Sequence, residues 1–178
     1  MSAAPQSPPL PPRECGDCTM CCKVMGIIEL EKPPGIWCSH CKPARGCAIY
    51  ESRPRECRTF VCGWLHSPDL DERWKPSVCK FLLMDSDGDT QIVVDPARPD
   101  AWKKEPYYSC FKAWAQRGLD EGAKVIVAIG KRAIVILPDR DVDLGIMEEG
   151  DRILTVPEET PLGYRYNALK LQKDDPRC

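Results

Sequence analysis

The sequence predicts an α+β protein, in which an irregular cysteine-rich module precedes a small antiparallel sheet with a helix packed on it. Two observations favour this class. Nine of the twelve cysteines fall within residues 15–62, where glycine and proline punctuate the chain. Beyond that segment the predicted order is strand, strand, helix, strand, strand, which is typical of a sheet with a helix on one face.

The predicted elements of the second part follow from turn residues and hydrophobic spacing. Asp87-Gly88 is a strong hairpin signal between two apolar runs, and Gly130-Lys131 marks a second hairpin. Apolar residues at helical spacing predict a helix over residues 106–119. A short strand near residues 152–156 is expected to follow.

The cysteine-rich segment offers little regular structure. One short helix is predicted near residues 18–25, and another from about residue 52 to residue 64, with Pro54 in its first turn. A segment of this size with few apolar stripes buries little surface. Metal–thiolate bonds would then supply its folding energy, on the order of 10 kcal/mol for each structural zinc.

These signals divide the chain into four parts. They are a disordered Pro-rich tail (1–13), the cysteine-rich module (14–66), an α+β domain (67–160) and a C-terminal tail (161–178). The start carries no basic, apolar leader of the signal-peptide kind, and the longest apolar runs are far shorter than the roughly 20 residues of a membrane span. We therefore expect a cytoplasmic protein with no membrane partner.

The spacing of the cysteines indicates a metal site. Stable disulfides are rare in a reducing cytoplasm, so clustered cysteines favour metal ligands. Two cysteines separated by two residues can direct both sulfurs at one ion. Residues 15–21 hold two such pairs in succession, and residues 38–41 hold a third. The candidate metal ligands are Cys15, Cys18, Cys21, Cys22, Cys38, Cys41, Cys47, Cys57 and Cys62.

Cys21 and Cys22 are adjacent, and neighbouring side chains diverge in most backbone conformations. The two thiols are therefore expected to serve different ions, or one of them to bridge two ions. Nine thiols suffice for two tetrahedral sites, which need eight ligands, while a multinuclear cluster with shared thiolates is the alternative. His40 and His66 are weaker candidates for further ligands.

Basic residues accompany the cluster. Residues 42–58 contain five basic residues and two acidic ones. The basic residues are Lys42, Arg45, Arg53, Arg55 and Arg58. A divalent ion held by four thiolates is negatively charged overall, so nearby guanidinium groups would offset that charge and donate hydrogen bonds to sulfur. A solvated surface and a phosphate-binding face are the alternatives.

The sequence CGDCTMCC from Cys15, followed by CAIYESRPRECR from Cys47, resembles the cysteine-cluster (CxxCxxCC) family of zinc- or iron-chelating domains, the YkgJ-like family. Both halves occur in order, and the match covers residues 15–62, about a quarter of the chain. Cys38 and Cys62 are additional to the family pattern. The resemblance implies chelation by Cys15, Cys18, Cys21, Cys22, Cys41, Cys47 and Cys57.

Residues around the second half of the motif are expected to support the site. Ile49 and Tyr50 are placed to seal it from water. Arg53 can reach a thiolate or a carbonyl, and Pro54 fixes the start of the turn that delivers Cys57. The alternative is that they pack a small core, and the two interpretations overlap because packing around a metal orients its ligands.

The sequence thus predicts a metal-ion-binding protein. Zinc is favoured because closed thiolate sites commonly fold small irregular modules. Iron or an iron–sulfur cluster is the alternative cofactor, since the spacing over residues 15–21 partly matches a four-iron ligand run. The alternative functions are an iron–sulfur redox or accessory protein and a zinc module that binds a protein or nucleic-acid partner.

No recognisable catalytic constellation is present, which argues against an enzyme. The tryptophans lack the basic–aromatic interleaving of a nucleic-acid groove, so nucleic acid is not the expected partner. Alternating aspartates over residues 139–143 are interpreted as a solvated loop. Of the remaining cysteines, Cys110 is expected to be a buried apolar residue, Cys79 to pack at a strand start, and Cys178 to be free.

Overall fold

The cysteine-rich module contains only short elements. The computed structural model describes residues 13–161 and 163–176. The predicted N-terminal tail therefore lies outside the described residues except for Arg13. Turns of 3-10 helix at Ile28–Leu30 and Tyr50–Ser52 accompany the regular elements. These are α1 (Met20–Val24), β1 (Cys41–Lys42), β2 (Gly46–Cys47), α2 (Arg55–Thr59) and α3 (Gly63–His66).

The helix predicted over residues 52–64 is two separate turns. Phe60 and Cys62, the residues flanking the break, both adopt extended backbone. Pro54 directly precedes α2 instead of lying in its first turn. The first predicted helix, over residues 18–25, is confirmed in a shorter form as α1.

A five-stranded sheet forms the centre of the second part, and α4 (Pro76–Cys79) leads into it. Its strands lie in chain order across the sheet, and both predicted hairpins are confirmed. At the first turn Asp87 and Gly88 both have positive φ, which matches a two-residue hairpin turn. The strands are β3 (Phe81–Ser86), β4 (Asp89–Val94), β5 (Val125–Ile129), β6 (Arg132–Ile136) and β7 (Asp141–Ile146).

The sheet is mixed, whereas the sequence predicted a wholly antiparallel one. α5 (Tyr107–Glu121) confirms the predicted helix and connects β4 to β5, which run parallel with Ile92 opposite Val127. A helix between two neighbouring strands returns the chain to the same end of the sheet, so the second strand runs in the same direction. The α+β class itself is confirmed.

The chain ends in a long two-stranded ribbon of β8 (Arg152–Thr160) and β9 (Gly163–Leu171). The predicted short strand is therefore the start of a longer one, and residues 163–171, predicted as tail, form its partner. Cys178 lies outside the described residues.

The core of the domain lies between the sheet and α5. Phe81 and Phe111 are fully buried, and Trp74 packs edge-on against both rings with centroid distances of 6.2 and 5.8 Å. Full burial of one such side chain contributes roughly 1.5–3 kcal/mol. Met20 and Val24 of α1 belong to the same apolar cluster, so the cysteine-rich module docks directly on the domain core.

Candidate metal centre

All cysteines within the described residues are free thiols. Backbone hydrogen bonds bring the separate cysteine pairs together. The amide of Cys18 donates to the carbonyl of Cys15 at 2.9 Å, and the amide of Cys38 donates to the carbonyl of Cys22 at 2.9 Å. Segments that are 16 residues apart in sequence therefore meet beside α1.

The strands β1 and β2 bring two further cysteines side by side. Cys41 lies directly opposite Cys47 in this two-residue ladder. The amide of Cys41 also donates to the carbonyl of Cys38 at 3.0 Å. Because directly paired residues project from the same face of a ladder, the two thiols lie on the same face of this one.

The thiols of Cys15, Cys18, Cys21 and Cys62 interact electrostatically. Burial raises the pKa of Cys15, and the neighbouring thiols of Cys21, Cys62 and Cys18 raise it further. Burial also raises the pKa of Cys62, with Cys18 and Cys21 as neighbours. Ionising a thiol beside a thiolate is unfavourable, because like charges repel in a partly buried site.

The remaining five thiols are connected in the same way. Burial raises the pKa of Cys41, which hydrogen-bonds Cys22 and also has Cys38 as an electrostatic neighbour. Burial raises the pKa of Cys57 as well, with contributions from Cys21, Cys38 and Cys47. All nine candidate cysteines therefore take part in one network of interacting thiols.

The adjacent thiols of Cys21 and Cys22 form its centre. A hydrogen bond from Cys22 lowers the pKa of Cys21 to about 7, and the same bond raises the pKa of Cys22. Cys21 therefore gives up a proton near neutral pH, while Cys22 keeps its proton. A thiolate is the form that binds metal and reacts as a nucleophile.

Two cations face the thiols. The guanidinium of Arg53 stacks 3.7 Å above the centroid of the Tyr50 ring, and its Nε is buried without a hydrogen-bond partner. Its charge partly offsets the rise in the pKa of Cys15 and adds to the lowering of the pKa of Cys21. Tyr50, expected to seal the site, is instead 57% exposed on the outer side of this arginine.

Lys32 is the second cation, and sequence reasoning missed it. Its side chain is buried, and its ammonium group donates to the carbonyls of Lys23, Met25 and Pro33. Burial lowers its pKa, whereas the neighbouring thiols, Cys38 and Cys22 foremost, favour its charged form. The other basic residues of the predicted patch, namely Lys42, Arg45, Arg55 and Arg58, are exposed.

Cys79 is a tenth thiol beside the network. It is 4% exposed and donates to the carbonyls of Phe81 at 3.0 Å and Trp74 at 3.4 Å. Burial raises its pKa to about 12, with Cys18 and Cys62 as neighbours. Cys79 therefore stays protonated and packs just before β3, whereas Cys110 is half-buried against the domain core.

Two polar contacts fix the module on the domain, and neither has a sequence signal. The Arg13 guanidinium donates to the carbonyls of Trp64 at 2.7 Å and Ser67 at 2.8 Å, at the end of α3. Lys23 of α1 pairs with Asp95 at 2.6 Å, with side chains only 15% and 8% exposed. These contacts hold the segments that carry Cys15, Cys21 and Cys22.

Neither histidine lies at the centre of the network. His66 is exposed at the end of α3 and lines a separate cleft with Trp114 and Lys124. His40 is half-buried, and its carbonyl accepts from the amide of Ala48 at 2.8 Å.

As the side chains stand, no group of three or more His, Cys, Asp or Glu residues in the described part of the chain is arranged so that it could hold a metal ion. The thiols are electrostatic neighbours, but they do not form a ligand set.

The prediction that the alternating aspartates form a solvated loop is wrong for Asp141 and Asp143. Asp141 and Asp143 lie in β7, and each has partners. Asp141 accepts from Lys112 at 2.7 Å and from the Tyr108 hydroxyl at 3.0 Å, while Asp143 pairs with Arg132. These carboxylates stabilise the sheet edge and its contact with α5.

Comparison with known proteins identifies no relative. Protein-family models, curated proteins and solved structures all give no match to the chain. Within residues 13–161 and 163–176, no helix has the length and apolar character needed to cross a membrane.

Proposed function

We propose that this protein binds metal ions, with zinc favoured over iron, through thiolates of its cysteine-rich module. The observation that carries the proposal is that nine free cysteines from five separate stretches of the module meet in one network of interacting thiols. An apolar core has no use for so many neighbouring thiols, whereas a thiophilic ion does. A reducing cytoplasm, the expected location, would keep these thiols free.

The donors fit such an ion in kind and in number. Thiolate is the preferred ligand of structural zinc, and two closed tetrahedral sites need eight ligands. The ligands would come from Cys15, Cys18, Cys21, Cys22, Cys38, Cys41, Cys47, Cys57 and Cys62. Bound zinc would supply redox-inert cross-links between the short elements of the module.

Hydrogen bonds already link some of these thiols. Cys22 hydrogen-bonds Cys21 and Cys41. Metal binding releases the thiol protons. Cys21, with a pKa of about 7, is the thiol that would ionise first and begin coordination.

Nearby cations support an anionic metal centre. Arg53 directs its charge at Cys15 and Cys21, and its buried Nε–H has no acceptor. Lys32 lies near Cys22 and Cys38. Hydrogen bonds and cations around sulfur ligands stabilise the thiolate form and tune the bound metal.

Elemental analysis of freshly purified protein tests the proposal. We expect one or more zinc ions per chain, colourless protein, and release of protons when zinc is added to the metal-free form. The Cys21→Ser variant should lose at least one equivalent of metal. The matched control is Cys110→Ser, because Cys110 lies on α5 and packs against the domain core.

Two results would contradict the proposal in different ways. Brown protein with iron and acid-labile sulfide would replace zinc with an iron–sulfur cluster and favour the alternative redox or accessory function. Full-length protein purified under reducing conditions that binds neither zinc nor iron at micromolar concentrations would overturn metal binding altogether.

A further inference from the structure

The geometry points to two separate metal sites that divide between Cys21 and Cys22. Cys15, Cys18, Cys21 and Cys62 would hold the first ion. The second ion would draw on Cys22, Cys38, Cys41, Cys47 and Cys57. This inference rests on the proposed function, and it assigns to Cys62 and Cys38 roles that the family resemblance does not supply.

The first set is assembled around α1 and the start of α3. Cys15 and Cys18 are joined by a backbone hydrogen bond of 2.9 Å, and Cys21 lies one residue inside α1. Cys62 immediately precedes α3 and is buried in the apolar cluster against which Cys18 and Cys21 pack. The thiols of Cys15, Cys18, Cys21 and Cys62 are therefore electrostatic neighbours.

Arg13 fixes the position of Cys62 relative to Cys15. Its guanidinium donates to the carbonyls of Trp64 and Ser67, which lie in and just after the helix that follows Cys62. It also stacks 5.0 Å from the centroid of the Trp64 ring. Since Arg13 is two residues before Cys15, the start of the module is tied to the segment carrying the fourth thiol.

The second set is assembled by the small ladder. The amide of Cys38 donates to the carbonyl of Cys22, and the amide of Cys41 donates to the carbonyl of Cys38. Cys41 pairs with Cys47 across β1 and β2. These contacts form a continuous chain from Cys22 to Cys47. Cys57 has Cys38 and Cys47 as electrostatic neighbours but also Cys21, so it is the surplus fifth donor near the boundary.

Helix geometry explains why the boundary falls within a dipeptide. Cys21 and Cys22 are successive residues of α1, and successive side chains on an α-helix point about 100° apart. One side chain can therefore direct its sulfur toward Cys18 and Cys62 while the next faces Cys38 and Cys41. In the first set, Cys21 is the member that also interacts with Cys41 and Cys57.

The charge distribution fits two neighbouring anionic centres. Arg53 has Cys15 of the first set and Cys57 of the second as electrostatic partners. A cation in that position reduces the repulsion between two tetrathiolate centres. Lys32 supplies a second positive charge on the side of Cys22 and Cys38.

Cadmium substitution combined with native mass spectrometry tests the division. Cadmium-113 added to the full-length, metal-free protein should give two bound ions and two resonances without mutual splitting. Cys62→Ser should shift or remove one resonance and leave the other in place. Cys41→Ser should do the reverse. Cys110→Ser is the control and should leave both resonances unchanged.

A second variant guards against misfolding, because Cys62 is buried. Cys15 is exposed, so Cys15→Ser should affect the same resonance as Cys62→Ser. Amide protection in β4 and β5, measured by hydrogen exchange, establishes that each variant has folded.

The outcomes separate this inference from the proposed function. Two bound ions whose resonances split each other would show a shared thiolate and overturn the division while leaving metal binding intact. One ion per chain, or variants that disturb both resonances, would overturn it in the same way. Protein that binds neither cadmium nor zinc would overturn both.

Discussion

The two parts of this molecule are held together by different means. In the domain, aromatic and aliphatic side chains from the sheet and α5 expose only a few per cent of their surface. Phe81 and Phe111 are completely buried. In the cysteine-rich module, Ile28 is 85% exposed and Ile36 is 59% exposed, and no element exceeds five residues.

The module therefore has little apolar core apart from the side chains that it contributes to the domain's cluster. It borrows part of its stability from the domain through α1, the Arg13 contacts and the Lys23–Asp95 pair. The rest, under the proposed function, comes from metal–thiolate bonds. Four experiments test this comparison.

The largest expected effect is that of metal removal. A strong chelator should abolish amide protection in the module, for example at Ala48, while the amides of β4 and β5 remain protected. The reason is that each structural zinc contributes on the order of 10 kcal/mol to folding of its site, whereas the domain core contains no cysteine of the network apart from Cys62. Hydrogen exchange with mass spectrometry measures both regions at once. Equal loss of protection in both would contradict two sources of stability.

Truncation of the domain core has the next largest effect. Phe111→Ala should lower the free energy of unfolding of the domain by about 4 kcal/mol, because it opens a cavity in a fully packed site. Urea denaturation monitored by circular dichroism measures it. Tyr164→Ala is the control, because Tyr164 is 76% exposed and its loss should cost under about 0.5 kcal/mol.

Breaking the ion pair between the two parts should have an intermediate effect. Asp95→Asn keeps an acceptor for the amide of Ala97 but leaves the Lys23 ammonium without its counter-charge. We expect a loss of about 2 kcal/mol, since this bond to a charged group is shielded from water. In the control, Glu148→Gln removes an exposed partner of Lys131 and should cost well under about 1 kcal/mol. Equal costs in denaturation would show that the junction is not held by this pair.

The smallest effect concerns alkaline pH. The pKa of Cys79 is raised by burial from 9.0 to about 12 in the folded protein. The folded state therefore holds this proton more tightly than the unfolded chain. The resulting stability is fully present below pH 9 and is lost as the pH rises from 9 towards 12.

Cys79→Ala isolates this contribution. Between pH 8 and pH 10, the wild type should lose about 1 kcal/mol more stability than the variant. Parallel pH profiles from urea denaturation would show that Cys79 does not carry the difference.

Much of the domain was predictable, because its signals are local. The Asp87-Gly88 turn and the stripe of α5 each lie within a few residues of sequence, and both hairpins and the helix are confirmed. The parallel pairing of β4 with β5 was not predictable in this way, since it depends on where α5 returns the chain. β9 was missed because its place in the fold is defined by its pairing with β8.

The candidate site divides along the same line. The spacing of the cysteines identified nine thiols. Their role as a metal centre stays a prediction. Lys32 was not found, because nothing in its sequence context shows that three carbonyls surround its ammonium group. Cys79 was assigned to strand packing, correctly in position, but its proximity to Cys18 and Cys62 is a contact between distant segments.

The sequence alone determined the candidate thiols, their number and the α+β class, because composition and short-range spacing depend on neighbouring residues only. The tertiary structure decided which thiols face each other, which cations accompany them and how α1 docks on the core. Those relations join residues that are tens of positions apart, and only the packing of the whole chain brings them within reach.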